Sequence, residues 1–318
     1  MEVYFELVIS PLLMKKTKSI AFASGWCRGK VKGAEVYFKL SSNESFSEAD
    51  VAFSERLRSA GKPVLVLEAL VEDDVFCRYQ LADFFSVSLK EKKIGIEMCK
   101  KSTDYFSKPH IYSNDVSDIN AFYERMDLHV LREILHRRNL LNSTAAYGCT
   151  DIDGVFLNKD GRLIVCEFKR KYPAGSYHEL LPNVLTLKDL ACVVAAIQSG
   201  TYSTSGKRVS VECYGLDISH VNNYISIKAL GVEYFYMIFD SRVASPASNL
   251  DYDFISKSVK EVVFSALEPS DFCGLSKTGG YHQETLTESR SKSGTFYSGV
   301  RYQLMMEKSL FSRGFKIP

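Results

Sequence analysis

The stretch Thr150–Lys171 constrains this chain more than any other. Two apolar runs, Val155-Phe156-Leu157 and Leu163-Ile164-Val165-Cys166, flank Asn158-Lys159-Asp160-Gly161. Asn, Asp and Gly are turn residues, with Gly supplying the position that needs φ > 0. The stretch therefore reads as a β-hairpin. Apolar residues at successive positions imply that both faces of each strand are covered. The pattern then changes. Glu167 and Lys169 are two apart and share a face, while Phe168 points the other way. A carboxylate and an ammonium ending a buried strand are costly unless paired or bound to something.

Asp153 opens the first strand of the hairpin. Two carboxylates and one ammonium thus collect at neighbouring strand ends. Asp151 shares the face of Asp153 and is an alternative first carboxylate, or an outer-shell helper. The plain alternative is a strand running into water through Glu167, Lys169, Arg170 and Lys171, with the two aspartates as edge residues. The chemical reading is more specific. Mg²⁺ is a hard ion that takes one or two carboxylates and keeps several waters. Asp153 and Glu167 would be its ligands, and the ion would polarise a phosphate and acidify a bound water. Lys169 would orient or help deprotonate that water and steady the developing negative charge.

Upstream, Asn120–Leu141 reads as an amphipathic helix with Leu128, Leu131 and Leu135 on one stripe. Glu124 lies within that stripe, one turn before Leu128. An acid on an apolar face usually has a reason, and here it would complete the metal site. The alternative is an acid near a helix N-terminus, where the dipole favours it. Glu133 falls on the polar side with His129 and His136.

A helix glutamate, then an aspartate, then Glu-x-Lys resembles the PD-(D/E)xK nuclease superfamily. Within it, Glu124, Asp153, Glu167 and Lys169 are similar in order and spacing to the archaeal Holliday-junction resolvases, over residues 118–240. Ile152 stands where the motif's proline would be. The resemblance implies a restriction-endonuclease-like mixed β-sheet flanked by helices. It also implies a Mg²⁺- or Mn²⁺-dependent endonuclease, with these four residues catalytic and Asp153, Glu167 and Glu124 holding the metal. It implies a 5′-phosphate product and favours DNA over RNA as substrate. An RNA endonuclease on the same fold stays open, as does a non-catalytic nucleic-acid-binding or assembly protein that keeps it.

Downstream, Thr186–Ser199 reads as a second helix, capped by Thr186 and ended by Gly200. Gln198 resembles the glutamine that some family members place beside the metal, or is an exposed helix-end residue. Tyr172, His178 and Lys188 follow the catalytic strand. With Arg170 and Lys171, Lys188 is placed to meet a nucleic-acid backbone.

The remainder frames this core. At 318 residues the chain holds two domains, or one with large elaborations. A net charge of +2 excludes a basic carpet, so any nucleic-acid surface is local. The eight cysteines form no Cys-x-x-Cys pair, and the six histidines have no zinc-ligand spacing. The cysteines read as small buried hydrophobes of a reducing compartment, cytoplasmic or nuclear. No stretch has the length of a membrane span. Val3–Leu13 is apolar but lacks the basic leader of a signal peptide.

Residues 1–117 read as an N-terminal α/β domain for recognition or dimerisation. Strands are expected at Met1–Ser10, Ser19–Phe22, Ala34–Leu40 and Pro63–Leu67. Helices are expected at Glu48–Ala60 and near Glu72–Phe85. Lys90, Lys92, Lys93, Lys100 and Lys101 surround Ile94–Met98. They either contact phosphates or guard an exposed edge strand. Val209–Tyr214 and Tyr234–Phe239 are expected to extend the nuclease sheet. Residues 241–318 form a C-terminal extension, with a helix at Asp253–Ala266 and a Gly/Ser/Thr-rich loop at Gly274–Ser293. Its end carries Arg290, Lys292, Arg301, Lys308, Arg313 and Lys316 among Phe296, Tyr297, Tyr302, Phe311 and Phe315. That mixture suits a nucleic-acid groove, or a strand with its basic residues outward. A homodimer would suit double-strand cutting.

Overall fold

The computed structural model describes residues 4–31, 34–41, 46–72, 75–82, 85–106, 149–171, 174–175, 178–179, 208–209, 212–240, 252–264, 272–280, 300–312, 315 and 317. Helices alternate with strands that form three sheets, so the class is α+β. By packing, the chain divides into two units, with the boundary between Cys166 and Glu167; Ile317 belongs with the first. The core expected over 118–240 straddles that boundary.

The first unit opens as helix, not as the strand expected over Met1–Ser10. A π-helical turn, Phe5–Ile9, runs directly into α1, Ser10–Thr17. Phe5, Ile9 and Leu13 are buried at four-residue spacing, a helical stripe hidden within a continuous apolar run. Pro11 lies in the first turn of α1, where a missing N–H costs nothing.

Strand β1, Ser19–Ala23, follows, then β2, Trp26–Val31, which the sequence pattern did not disclose. Next come β3, Ala34–Ser41, helix α2, Glu48–Ser59, and β4, Val64–Glu72, all near their expected places. β3 and β4 are parallel, so α2 is their crossover. Ser47 and Asp50 close a capping box at the start of α2.

Two further expectations are corrected here. Residues 75–82 form β5, Val75–Ala82, antiparallel to β4, and not a helix. Arg78 and Gln80 alternate with Tyr79 and Leu81, a period of two. Leu89–Phe106 is helix α3, and not an edge strand. Ile94, Met98 and Ser102 are buried four apart, while the flanking lysines are exposed. The buried face of α3 packs on Cys27, Phe38, Leu65, Leu67 and Tyr79 of the sheet. On α2, Phe53 meets Trp26 and Tyr37 edge-on, at ring centroid distances of 5.0 and 6.3 Å.

β6, Thr150–Ile152, and β7, Gly154–Asn158, return antiparallel to the first strands. β7 pairs with β1 and β6 pairs with β2. Ala23 faces Val155 and Trp26 faces Ile152, so the register carries through unchanged from one pair to the other. β1–β2 and β6–β7 are therefore one ladder, bent where it passes from one sheet into the next. Ser24 and Gly25 occupy the bend on one strand and Asp153 occupies it on the other. Buried Lys39 pins the bend, donating to the Ser24 carbonyl at 2.5 Å and pairing with Asp50 Oδ1 at 3.1 Å. Trp26 Nε1 donates to the same carboxylate at 2.8 Å.

The expected hairpin is present. β8 spans Leu163–Lys171, and Gly161 sits at φ 72° in the turn. Asn158 Oδ1 accepts from the N–H groups of Asp160 and Arg162, at 3.0 and 2.8 Å. Val155, Phe156 and Leu163–Phe168 are buried, as the double apolar runs require.

β8 continues into the second unit, which also holds β9, Ala174–Gly175, β10, His178–Glu179, and β11, Arg208–Val209. β12, Glu212–Asp217, leads into α4, Ile218–Lys228, and β13, Glu233–Asp240. Then follow α5, Tyr252–Ser258, β14, Val259–Val263, β15, Phe272–Gly280, and β16, Val300–Glu307. β13 neighbours β8 and β14, as expected for Tyr234–Phe239. β12 does not join that sheet. It lies in a separate one, ordered β11-β10-β15-β16-β12-β9, where β16 is its partner. The C-terminal segment thus supplies an inner strand, and Gly274–Gly280 belong to a strand, not to the expected loop. The helix expected over Asp253–Ala266 stops at Ser258, where Val259, Val262 and Val263 turn the segment to strand. Among the described residues, no helix is long and apolar enough to cross a membrane.

Candidate active site

The bend and the hairpin together place the acids. Gly154 and Cys166 are the last paired residues of β7 and β8 before the bend. Asp153 and Glu167 are one step beyond them on opposing strands, and opposing residues of an antiparallel pair point to one side. Asp151 is two residues before Asp153, within β6. Oxygen atoms offered by Asp151, Asp153 and Glu167 all lie within 4.8 Å of one another. Asp153 is 4% exposed and Glu167 0%.

Local packing holds Asp153 in place. A Cβ on Gly154 would lie 2.9 Å from Phe22, 3.0 Å from Phe156 and 3.1 Å from Phe5. The backbone beside Asp153 is thus seated among three rings, two of which are 4.9 Å apart by their centroids, Phe22 and Phe156. Only glycine fits this approach.

Glu167 has its own surroundings. Lys169 Nζ lies 2.6 Å from its Oε1. His220 of α4 places Nε2 3.3 Å from the same oxygen. Tyr234 of β13 donates from its hydroxyl to Oε2 at 3.5 Å. Tyr236, two residues on, places its hydroxyl 3.3 Å from His220 Nδ1. Beneath them, Tyr236 stacks on Phe264 at 5.0 Å and 11°, and Tyr224 meets Phe264 edge-on at 5.2 Å. This aromatic floor fixes α4 against β13.

Three carboxylates are an all-oxygen donor set, which suits Mg²⁺ and Mn²⁺ and not a soft, thiolate-seeking ion. Asp153, Glu167 and Lys169 are brought together, and Asp151 joins them. Glu124, Lys188, Gln198, Arg290 and Lys292 lie outside the described residues. Arg170 and Arg301 are placed by their backbones in β8 and β16, and Lys171 ends β8, half-buried.

His220, Tyr234 and Tyr236 are site neighbours that the sequence reading missed. Tyr234-Phe235-Tyr236 does alternate, which puts both hydroxyls on one face of a strand. His220 opens a helix whose polar run, Ser219-His220-Val221-Asn222-Asn223, hides the buried stripe of Val221, Tyr224 and Ile227.

No family model, curated protein or solved structure matches this chain. Function is accordingly argued from the site.

Proposed function

We propose that this chain is a metal-dependent endonuclease of the PD-(D/E)xK type, hydrolysing phosphodiester bonds and acting first on DNA. The observation that carries the reading is the gathering of Asp151, Asp153 and Glu167, with the Lys169 ammonium 2.6 Å from Glu167. Asp153 and Glu167 would hold Mg²⁺ or Mn²⁺, with Asp151 beside them and Glu124 as a further acid. When bound, the ion supplies Lewis acidity toward the scissile phosphate and an acidified water. Lys169, 23% exposed at its side chain, reaches toward solvent where a substrate would lie. It orients the attacking water and donates hydrogen bonds to the charge that develops on phosphorus-bound oxygen. Glu167 holds Lys169 in its charged form and in reach. Arg170, Lys171, Lys188, Gln198, Arg290, Lys292 and Arg301 would meet the phosphates to either side. A restriction-endonuclease-like core around β7, β8 and β13 is part of this proposal.

One observation favours a second reading. Glu167 is already met by Lys169, His220 and Tyr234, which satisfies a buried carboxylate without an ion. A nucleic-acid-binding protein that keeps the fold without turnover would be built this way.

The test is incubation with Mg²⁺ or Mn²⁺ and supercoiled, linear, single-stranded and branched DNA, alongside structured RNA, with Glu167→Ala as control. The endonuclease reading expects 5′-phosphate ends, abolished in the variant. Cleavage of RNA alone moves the substrate class and keeps the mechanism. Binding without cleavage of any substrate supports the second reading.

A further inference from the structure

Glu167 is the most deeply buried carboxylate of the acidic group, and its oxygens are unequally engaged. Oε1 faces two nitrogen groups, Lys169 Nζ and His220 Nε2, while Oε2 meets only the Tyr234 hydroxyl, at the long end of hydrogen-bond distance. A carboxylate accepts and does not donate, so a hydrogen bond from His220 requires the proton on Nε2. Neutral imidazole then has a lone pair on Nδ1, which takes the proton of the Tyr236 hydroxyl 3.3 Å away. Each of the three side chains is buried, His220 at 7% exposure and Tyr236 at 0%. The Tyr236 ring is fixed by its stack on Phe264, so the relay has a rigid base.

We propose that His220 and Tyr236 are a positioning pair for Glu167. Tyr236 donates to His220 Nδ1, His220 Nε2 donates to Glu167 Oε1, and the carboxylate is thereby held with Oε2 as its free lobe toward a divalent cation. The inference rests on the metal-centre reading above and deepens it. His220 is not a ligand in this account: among the described residues the oxygens that lie within reach of one ion are those of Asp151, Asp153 and Glu167, and His220 stands outside that group. Partners that orient a metal ligand in this way matter for affinity, typically by about 10- to 100-fold when lost.

The experiment is Mn²⁺ binding to the full chain, by calorimetry or by the spin resonance of the free ion, with no nucleic acid present. Four variants are compared with the unaltered chain: His220→Leu, His220→Gln, Tyr236→Phe and Asp153→Ala. Leu fills the histidine's volume without a donor. Gln carries an amide N–H at the reach of Nε2. Phe keeps the stack on Phe264 and removes only the hydroxyl. The expected order is Asp153→Ala weakest, then His220→Leu at about 10- to 100-fold weaker than the unaltered chain. Tyr236→Phe falls between, and His220→Gln stays close to the unaltered chain. If His220→Leu fails to fold, Tyr236→Phe decides. Unchanged affinity in His220→Leu and Tyr236→Phe, with binding lost in Asp153→Ala, overturns the pair and leaves the metal centre standing. Equal losses in the Gln and Leu variants also overturn it, because packing alone would explain them. An unaltered chain that takes up no Mn²⁺ overturns both readings.

Discussion

Lys169 Nζ lies 2.6 Å from Glu167 Oε1, on the same face of the same strand. The acid is fully buried and the lysine is partly open to solvent. Such a pair serves two ends at once. It neutralises a carboxylate that burial would otherwise penalise, and it presents an ammonium at the rim of an acidic cluster. Removing the lysine should separate these roles. Lys169→Met is expected to lower the cleavage rate by about 10²- to 10⁴-fold, the usual contribution of a positioned proton-transfer group. Mn²⁺ affinity should change only a few-fold, since the carboxylates remain. Single-turnover rates together with Mn²⁺ titration check both halves. Normal cutting by Lys169→Met would remove the mechanism.

Gly154 is the sequence's concession to three phenylalanines. Gly154→Ala would put a Cβ within 2.9 Å of Phe22 and 3.1 Å of Phe5, so the rings must move. Overpacking of this kind costs about 1–3 kcal/mol. Asp153 is the next residue, and its carboxylate should shift with the backbone. Urea denaturation is expected to show the lost stability, and metal titration should show weaker binding in the folded variant.

Lys39 and Asp50 form a buried pair at the bend, with side chains 9% and 5% exposed. Breaking such a pair by removing one partner leaves a buried charge uncompensated and costs about 3–5 kcal/mol. Lys39→Met should therefore be strongly destabilising in urea. Lys39→Met with Asp50→Asn should cost less than the two single changes summed, because contacting partners are not additive. Additive losses would mean the pair contributes no coupling.

Burial pushes the Cys99 thiol up to about 12 from 9.0, and the Tyr4 hydroxyl up to about 12 from 10.0. Both groups hold their protons more tightly when folded than when unfolded. Their contribution to stability is fully present below pH 9 and is lost as pH rises from about 9 toward 12. Unfolding midpoints should be flat from neutral pH to about 9 with respect to these groups and decline above it. Tyr4→Phe should flatten the decline. Cys99 should also resist thiol reagents at pH 8 until the protein unfolds, since the thiolate is the reactive form.

The hairpin was legible because each of its signals is local. Turn residues sit beside two apolar runs, and Glu167 and Lys169 differ from their neighbours in kind. β3, α2 and β4 were legible for the same reason. The N-terminal helix was not, because a nearly continuous apolar run carries no period to separate helix from strand. β5 and α3 were each read as the other class. Charges at their ends masked a two-residue alternation in β5 and a four-residue stripe in α3. The surroundings of Glu167 were the least legible. His220 and Tyr234 reach it from α4 and β13, and no spacing in the sequence encodes a contact made by folding. Likewise, the pairing of β12 with β16 is decided by strands far apart in the chain.

The central claim is that these carboxylates form a metal centre that cleaves a phosphodiester. The most direct measurement is cleavage of the DNA and RNA panel in Mn²⁺, by the unaltered chain and by Asp153→Asn and Glu167→Gln, with a chelator control. The account predicts metal-dependent cutting by the unaltered chain, abolished by the chelator and by either substitution. Cutting that survives both substitutions, or a folded chain that cuts nothing at any metal concentration, would contradict it.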